Sequence, residues 1–123
     1  MTYLKKRKNA FKAAFSGLYQ AFKSEAHLKI HLLIAILVIV AGLYFAISKS
    51  EWFAVSLCIV LVISLELINS AMEKMCDLYT KEYDQRIKYI KDVAAGTVLV
   101  ASIFAAMVGL FVFVPYVLIL LEK

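Results

Sequence analysis

Glu66, Asn69, Ser70, Glu73 and Asp77 share one face of any helix that carries them. At about 100° per residue, Asn69 falls about 60° to one side of Glu66 and Ser70 about 40° to the other, with Glu73 and Asp77 between them. Leu65, Leu67, Ile68 and Met72 occupy the remaining surface. Three carboxylates, an amide and a hydroxyl therefore line one stripe. It begins directly after the uncharged run Trp52–Leu65, where hydrocarbon should continue.

Convergent carboxylates beside other oxygen donors suit a hard cation, and magnesium brings nucleotide phosphates with it. A carboxylate one to two turns inside a membrane boundary suits proton abstraction from an alcohol. Nearby basic residues would neutralise phosphate charge during transfer. Other readings of the stripe stay open. Proton-coupled transporters carry intramembrane carboxylates, and polar stripes also join helices in assembly subunits. A solvated helix end accounts for Asp77 and Glu73 but not for Glu66, where burial is costly. No Walker motif, glycine-rich kinase loop or H-E-x-x-H is present. His27 and His31 stand at i, i+4, but without a placed third ligand they read as structural.

The elements that must hold the stripe are membrane helices. Of 123 residues, 63% are hydrophobic and the mean hydropathy is +0.83, more apolar surface than a soluble domain of this size can hide. Three apolar runs, 30–47, 52–65 and 93–121, predict three spans, the second continuing through Glu66 to reach full length. Residues 3–24 read as an amphipathic helix with Phe11, Phe15, Leu18 and Phe22 on one face, lying in the interface or packed on protein. Residues 48–52 read as a short turn with Trp52 as an interfacial anchor, and residues 81–92 as the one long polar connection. Twelve of the fourteen basic residues flank one side, all but Lys49 and Lys123. The positive-inside rule makes that side cytoplasmic, so the expected membrane is a plasma membrane with the amino terminus inside and the carboxyl terminus outside. A basic face without a nucleic-acid motif meets headgroups or nucleotide phosphates, not nucleic acid. Cys58 and Cys76 read as free, packing thiols. No cleavable signal peptide is expected, and residues 1–123 read as one domain.

The stretch "ELINSAMEKMCDL" resembles the E-[IL]-x-N-[ST]-A-x-E-x-x-x-D signature of the prokaryotic diacylglycerol kinase family, and "IKDVAAGTVLV" resembles its second block. The likeness covers nearly the whole chain. It implies a small all-α homotrimeric membrane kinase that transfers the γ-phosphoryl of magnesium ATP to a lipid hydroxyl. By position, Glu66 would be the base with Asn69 bracing the reacting groups, and Glu25 and Glu73 would hold the metal. Glu25, Glu73, Asp77, Glu82, Tyr83, Asp84, Lys91 and Asp92 would contact the nucleotide, and Glu66, His31, Trp52 and Ala95 the lipid. "KIH", "EW", "AAGTVLV" and "FVP" are similar to the branch acting on undecaprenol in Gram-positive bacteria. "SEAHLKIH" departs from that branch's usual "ERNFxxH", which keeps diacylglycerol as the alternative substrate.

Overall fold

The computed structural model describes residues 2–123, in four helices: α1 (Tyr3–Ser24), α2 (Ala26–Phe45), α3 (Lys49–Tyr79) and α4 (Gln85–Leu121). α2, α3 and α4 are each long and apolar enough to cross a membrane, as the three apolar runs predict.

Glu25 alone separates α1 from α2. Its extended backbone (φ −96°, ψ 114°) ends one helix and starts the next, while its N–H still donates to the Ala21 carbonyl at 2.9 Å. The helix over 3–24 forms as expected, yet none of its residues is buried. Phe11 and Phe15 are 63% and 68% exposed.

α2 buries Leu28, Ala35 and Gly42, a stripe at seven-residue spacing suited to close packing against a neighbouring helix. Gly42 has a specific reason. A Cβ there would lie 2.6 Å from Cη2 of Trp52, so glycine lets the indole lie across α2. α2 stops at Ala46, which takes the left-handed conformation (φ 51°, ψ 51°) usually left to glycine. That turn folds Ile47 back into a cluster with Val55 and Val112.

The next helix starts earlier than the expected turn over 48–52 allows. Ser48 Oγ accepts the Glu51 N–H at 3.3 Å, and the Ser48 N–H donates to Glu51 Oε2 at 2.8 Å, a capping box that makes Lys49–Trp52 helical. The same carboxylate oxygen accepts the Tyr116 hydroxyl at 2.6 Å, tying the start of α3 to the end of α4. Phe45 packs its ring on Phe113 and Tyr116 beside this knot. We call this the turn end of the bundle.

At the opposite, polar end, the expected connection over 81–92 shrinks to residues 80–84. Asp84 caps α4 through the Arg86 N–H at 2.9 Å and pairs with the Arg86 guanidinium. Lys88 and Asp92, one turn apart, support the first turns of α4, so a segment that reads as polar loop is helix. α3 and α4 make the most extensive helix contact in the chain. Their 31 and 37 residues span about 46 and 55 Å, well beyond the roughly 30 Å hydrocarbon core.

Candidate active site

The buried face of α3 runs Val55, Cys58, Val62 and then Glu66, Asn69, Ser70. The three- and four-residue spacing persists, and the chemistry changes. Glu66, Asn69 and Ser70 are only 5%, 8% and 7% exposed, whereas Glu73 and Asp77, on the same stripe, are open. Packing against the neighbouring helices explains the split, not distance along α3, because Cys76, beyond Glu73, is buried again at 4%. Glu66 lies about 26 Å and Asp77 about 42 Å along α3 from its start.

Across from Glu66 stands His31 on α2, with Nε2 3.7 Å from Glu66 Oε2. The side chains are 20% and 7% exposed, so two residues singled out separately meet in one half-enclosed place. The distance is too long for a direct hydrogen bond and short enough for one bridging water or a small rotation. Asn69 is one turn further along. Its Oδ1 is buried and has no hydrogen-bond partner among the described residues. Buried acceptors are nearly always satisfied, and an orphan costs about 1–3 kcal/mol, which sets this atom apart from the packed polar groups around it.

His31 also closes one end of an apolar cleft of about 310 Å³ between α2, α3 and α4. Ser102, Ala105, Ala106, Val108 and Gly109 form its α4 wall, and these mostly small residues leave the space open. Cys58, a free thiol, lines the same cleft. Toward the polar end, Gln20, Glu25, Ser70 and Lys74 surround a wider, open hollow of about 990 Å³ between α1 and α3.

The other expected site residues divide into two groups. Glu25 is held by Lys74 at 3.2 Å, and Lys91 reaches back from α4 to Asp77 at 2.6 Å, so these expected ligand residues lie along the polar end of α3. Asp84 and Asp92 are engaged by Arg86 and Lys88, and the Arg86 hydrogen bond holds the Asp84 carboxyl down at about 2. Glu82 and Tyr83 are exposed in the connection, and Ala95 is exposed on α4. Trp52 lies about 21 Å along α3 from Glu66, packed over Gly42 at the turn end. Only a long tail would touch both. Lys74 was missed by sequence reasoning. Its place beside Glu73 was visible, but nothing in the sequence shows that it reaches Glu25.

Among the described residues, no three histidine, cysteine or carboxylate side chains gather into a cation-holding group. Magnesium does not require one, since it is bound by one or two carboxylates together with phosphate oxygens and water. Glu25, already matched with a lysine, and the open carboxylate of Glu73 fit that donor set.

A sequence profile of prokaryotic diacylglycerol kinase matches residues 12–113. The chain belongs to that family. It is similar to the undecaprenol kinase of Bacillus subtilis (strain 168), 33% identical over 106 residues that cover 86% of both chains. It is similar to the diacylglycerol kinase of Synechocystis, 35% identical over 101 residues, 81% of this chain and 58% of that one. The diacylglycerol kinase of Helicobacter pylori (strain J99) is 33% identical over 104 residues, 82% of this chain and 81% of that one. Family membership and three membrane-length helices make the chain a membrane lipid kinase.

Proposed function

We propose that the chain transfers the γ-phosphoryl of ATP to the hydroxyl of undecaprenol, at the cytoplasmic face of the bacterial plasma membrane. The observation that carries this reading is the placement of Glu66 beside His31, at the polar mouth of an apolar cleft. A polyisoprenol has one terminal hydroxyl and a long branched tail without polar atoms. Such a tail suits a cleft walled by alanine, valine, isoleucine and glycine. Diacylglycerol brings two ester carbonyls that seek donors near the headgroup.

Glu66 takes the hydroxyl proton as the lipid oxygen attacks the γ-phosphorus, and the bond to the ADP oxygen breaks. Asn69 braces the reacting groups, its unpartnered Oδ1 being an acceptor for a proton-bearing group such as the lipid hydroxyl. Lys91 is close enough to the polar stripe to exchange Asp77 for a phosphate oxygen, and Lys74 lies beside Glu25 for the same purpose. Glu25 and Glu73 would hold magnesium, which when bound neutralises phosphate charge. The basic residues on α1, on α3 beyond Glu73 and at the start of α4 support an orientation with the polar end inside and the carboxyl terminus outside. α1, with no buried residue, lies in the interface, aromatic side down. One chain gives little wall around this site, and we read the active unit as a homotrimer with sites at subunit boundaries. Mixing Glu66→Gln and Glu25→Gln protomers should then restore some turnover, whereas no recovery despite proven mixing would place both residues in one chain.

Undecaprenol and diacylglycerol compared in matched mixed micelles decide the substrate. The reading predicts higher kcat/KM on undecaprenol. Higher efficiency on diacylglycerol, the substrate named for two of the relatives above, would reverse it.

A further inference from the structure

The base of a lipid kinase must be emptied after each turnover, and Glu66 is enclosed by protein. When the lipid O–H bond breaks, its proton passes to a Glu66 oxygen, and the carboxyl is then neutral and 5% exposed. Something nearby must accept that proton and lead it out. Leu65, Leu67 and Ile68 beside Glu66 on α3 are apolar, and so is most of the cleft wall. The titratable groups facing this place are few. α2 presents His31, with exposed His27 one turn nearer the polar end, and α3 presents Cys58 within the cleft. The α4 wall contributes Ser102 and no titratable side chain.

We propose that His31 is the positioning partner of Glu66 and the group onto which Glu66 unloads the proton taken from the lipid hydroxyl. His31 Nε2 is 3.7 Å from Glu66 Oε2, one small rotation or one water from proton transfer. Histidine is the side chain suited to taking up and releasing protons near neutral pH. Its side chain is 20% exposed against 7% for Glu66, so the proton moves from the more enclosed group to the more open one, on the α2 turn that leads toward the polar end. The balance is simple. Neutral imidazole plus the Glu66 carboxylic acid gives imidazolium plus carboxylate, and imidazolium then loses its proton to water. His31 thereby returns Glu66 to its basic form and, as imidazolium, attracts the carboxylate to its own side of the site.

This inference rests on the kinase reading with Glu66 as base, and the test separates the two. Wild-type protein, His31→Gln and His31→Asn are assayed in undecaprenol micelles at saturating lipid from pH 5 to 9, with binding of a fluorescent ATP analogue confirming that each variant is folded. His31→Gln keeps a hydrogen-bonding group near Nε2 but cannot carry the proton. Its kcat should fall about tenfold or more, with KM for ATP and for lipid within about twofold of wild type. The acidic limb of the wild-type kcat profile should change shape in His31→Gln, and profiles of the same shape would also overturn the proposal. Adding Glu66→Gln to His31→Gln should cost far less than Glu66→Gln alone. Raised lipid KM with intact kcat would make His31 a lipid contact only, and full activity in both variants would remove it from the chemistry. Either result overturns the proposal while the kinase reading stands. Failure of the wild type to use ATP with either lipid would sink the kinase reading itself.

Discussion

At the turn end, Ser48, Glu51 and Tyr116 exchange hydrogen bonds of 2.6 to 3.3 Å, and Ile47, Val55 and Val112 pack beside them. At the polar end, Glu66 faces a histidine 3.7 Å away and Asn69 keeps a buried acceptor unpaired. Both ends belong to the long helix α3, which pairs with α4 at the turn end and meets α2 at the polar end. One end is closed by its own hydrogen bonds, and the other keeps polar groups without direct partners, as the proposed site for a lipid hydroxyl and a nucleotide would. Stability and chemistry are therefore drawn from opposite ends of α3, and substitutions at the two ends should separate them.

The largest effect belongs to Glu66. Glu66→Gln keeps shape and removes the base, so lipid-dependent turnover should fall about 10²-fold or more while nucleotide affinity is nearly retained. Phosphate release and ATP-analogue binding on the same preparation check this, and unchanged turnover would move the base elsewhere. Next come Glu25→Gln and Glu73→Gln, each expected to raise the magnesium concentration for half-maximal activity several-fold, since the hard cation loses a charged donor. Asp77→Asn should change that titration less, because Asp77 is committed to Lys91. Magnesium titrations that superimpose on wild type would exclude both glutamates as ligands.

The turn end should respond in stability alone. Val112 is 7% exposed in the cluster, so Val112→Ala should destabilise by roughly 1–3 kcal/mol while turnover per folded molecule stays at the wild-type level. Denaturant titration in micelles with parallel activity assays measures both, and a matching loss of turnover would erase the contrast between the ends. Smaller still, Ala46→Gly relieves a left-handed alanine and should add about 1 kcal/mol. An unchanged or lower midpoint would mean that the turn carries no strain.

Much of this division was legible before the fold was known. The stripe of Glu66, Asn69, Glu73 and Asp77 follows from helical spacing, and the three spans follow from apolar runs. Element ends were harder to read. The S-x-x-E of Ser48 and Glu51 and the Asp84 cap were present in the sequence, but turn residues beside charges read equally as loop. Partners across helices were not legible. Periodicity places His31 on α2 and Glu66 on α3, and only packing shows that they face one another. The separation of the stripe into buried Glu66, Asn69 and Ser70 and open Glu73 and Asp77 likewise depends on where α1, α2 and α4 end.

Asn69 tests the contrast most directly, because its orphan acceptor should weaken the fold and serve the reaction. Asn69→Leu replaces the amide with an apolar side chain of similar size. Thermal unfolding and undecaprenol-dependent ATP turnover would be measured on one micellar preparation. We expect a midpoint equal to or above wild type, since a buried unsatisfied group worth about 1–3 kcal/mol is removed, together with a turnover loss of about tenfold or more. A lowered midpoint with turnover per folded molecule intact would contradict the account, because Asn69 would then hold the helices together and take no part in the chemistry.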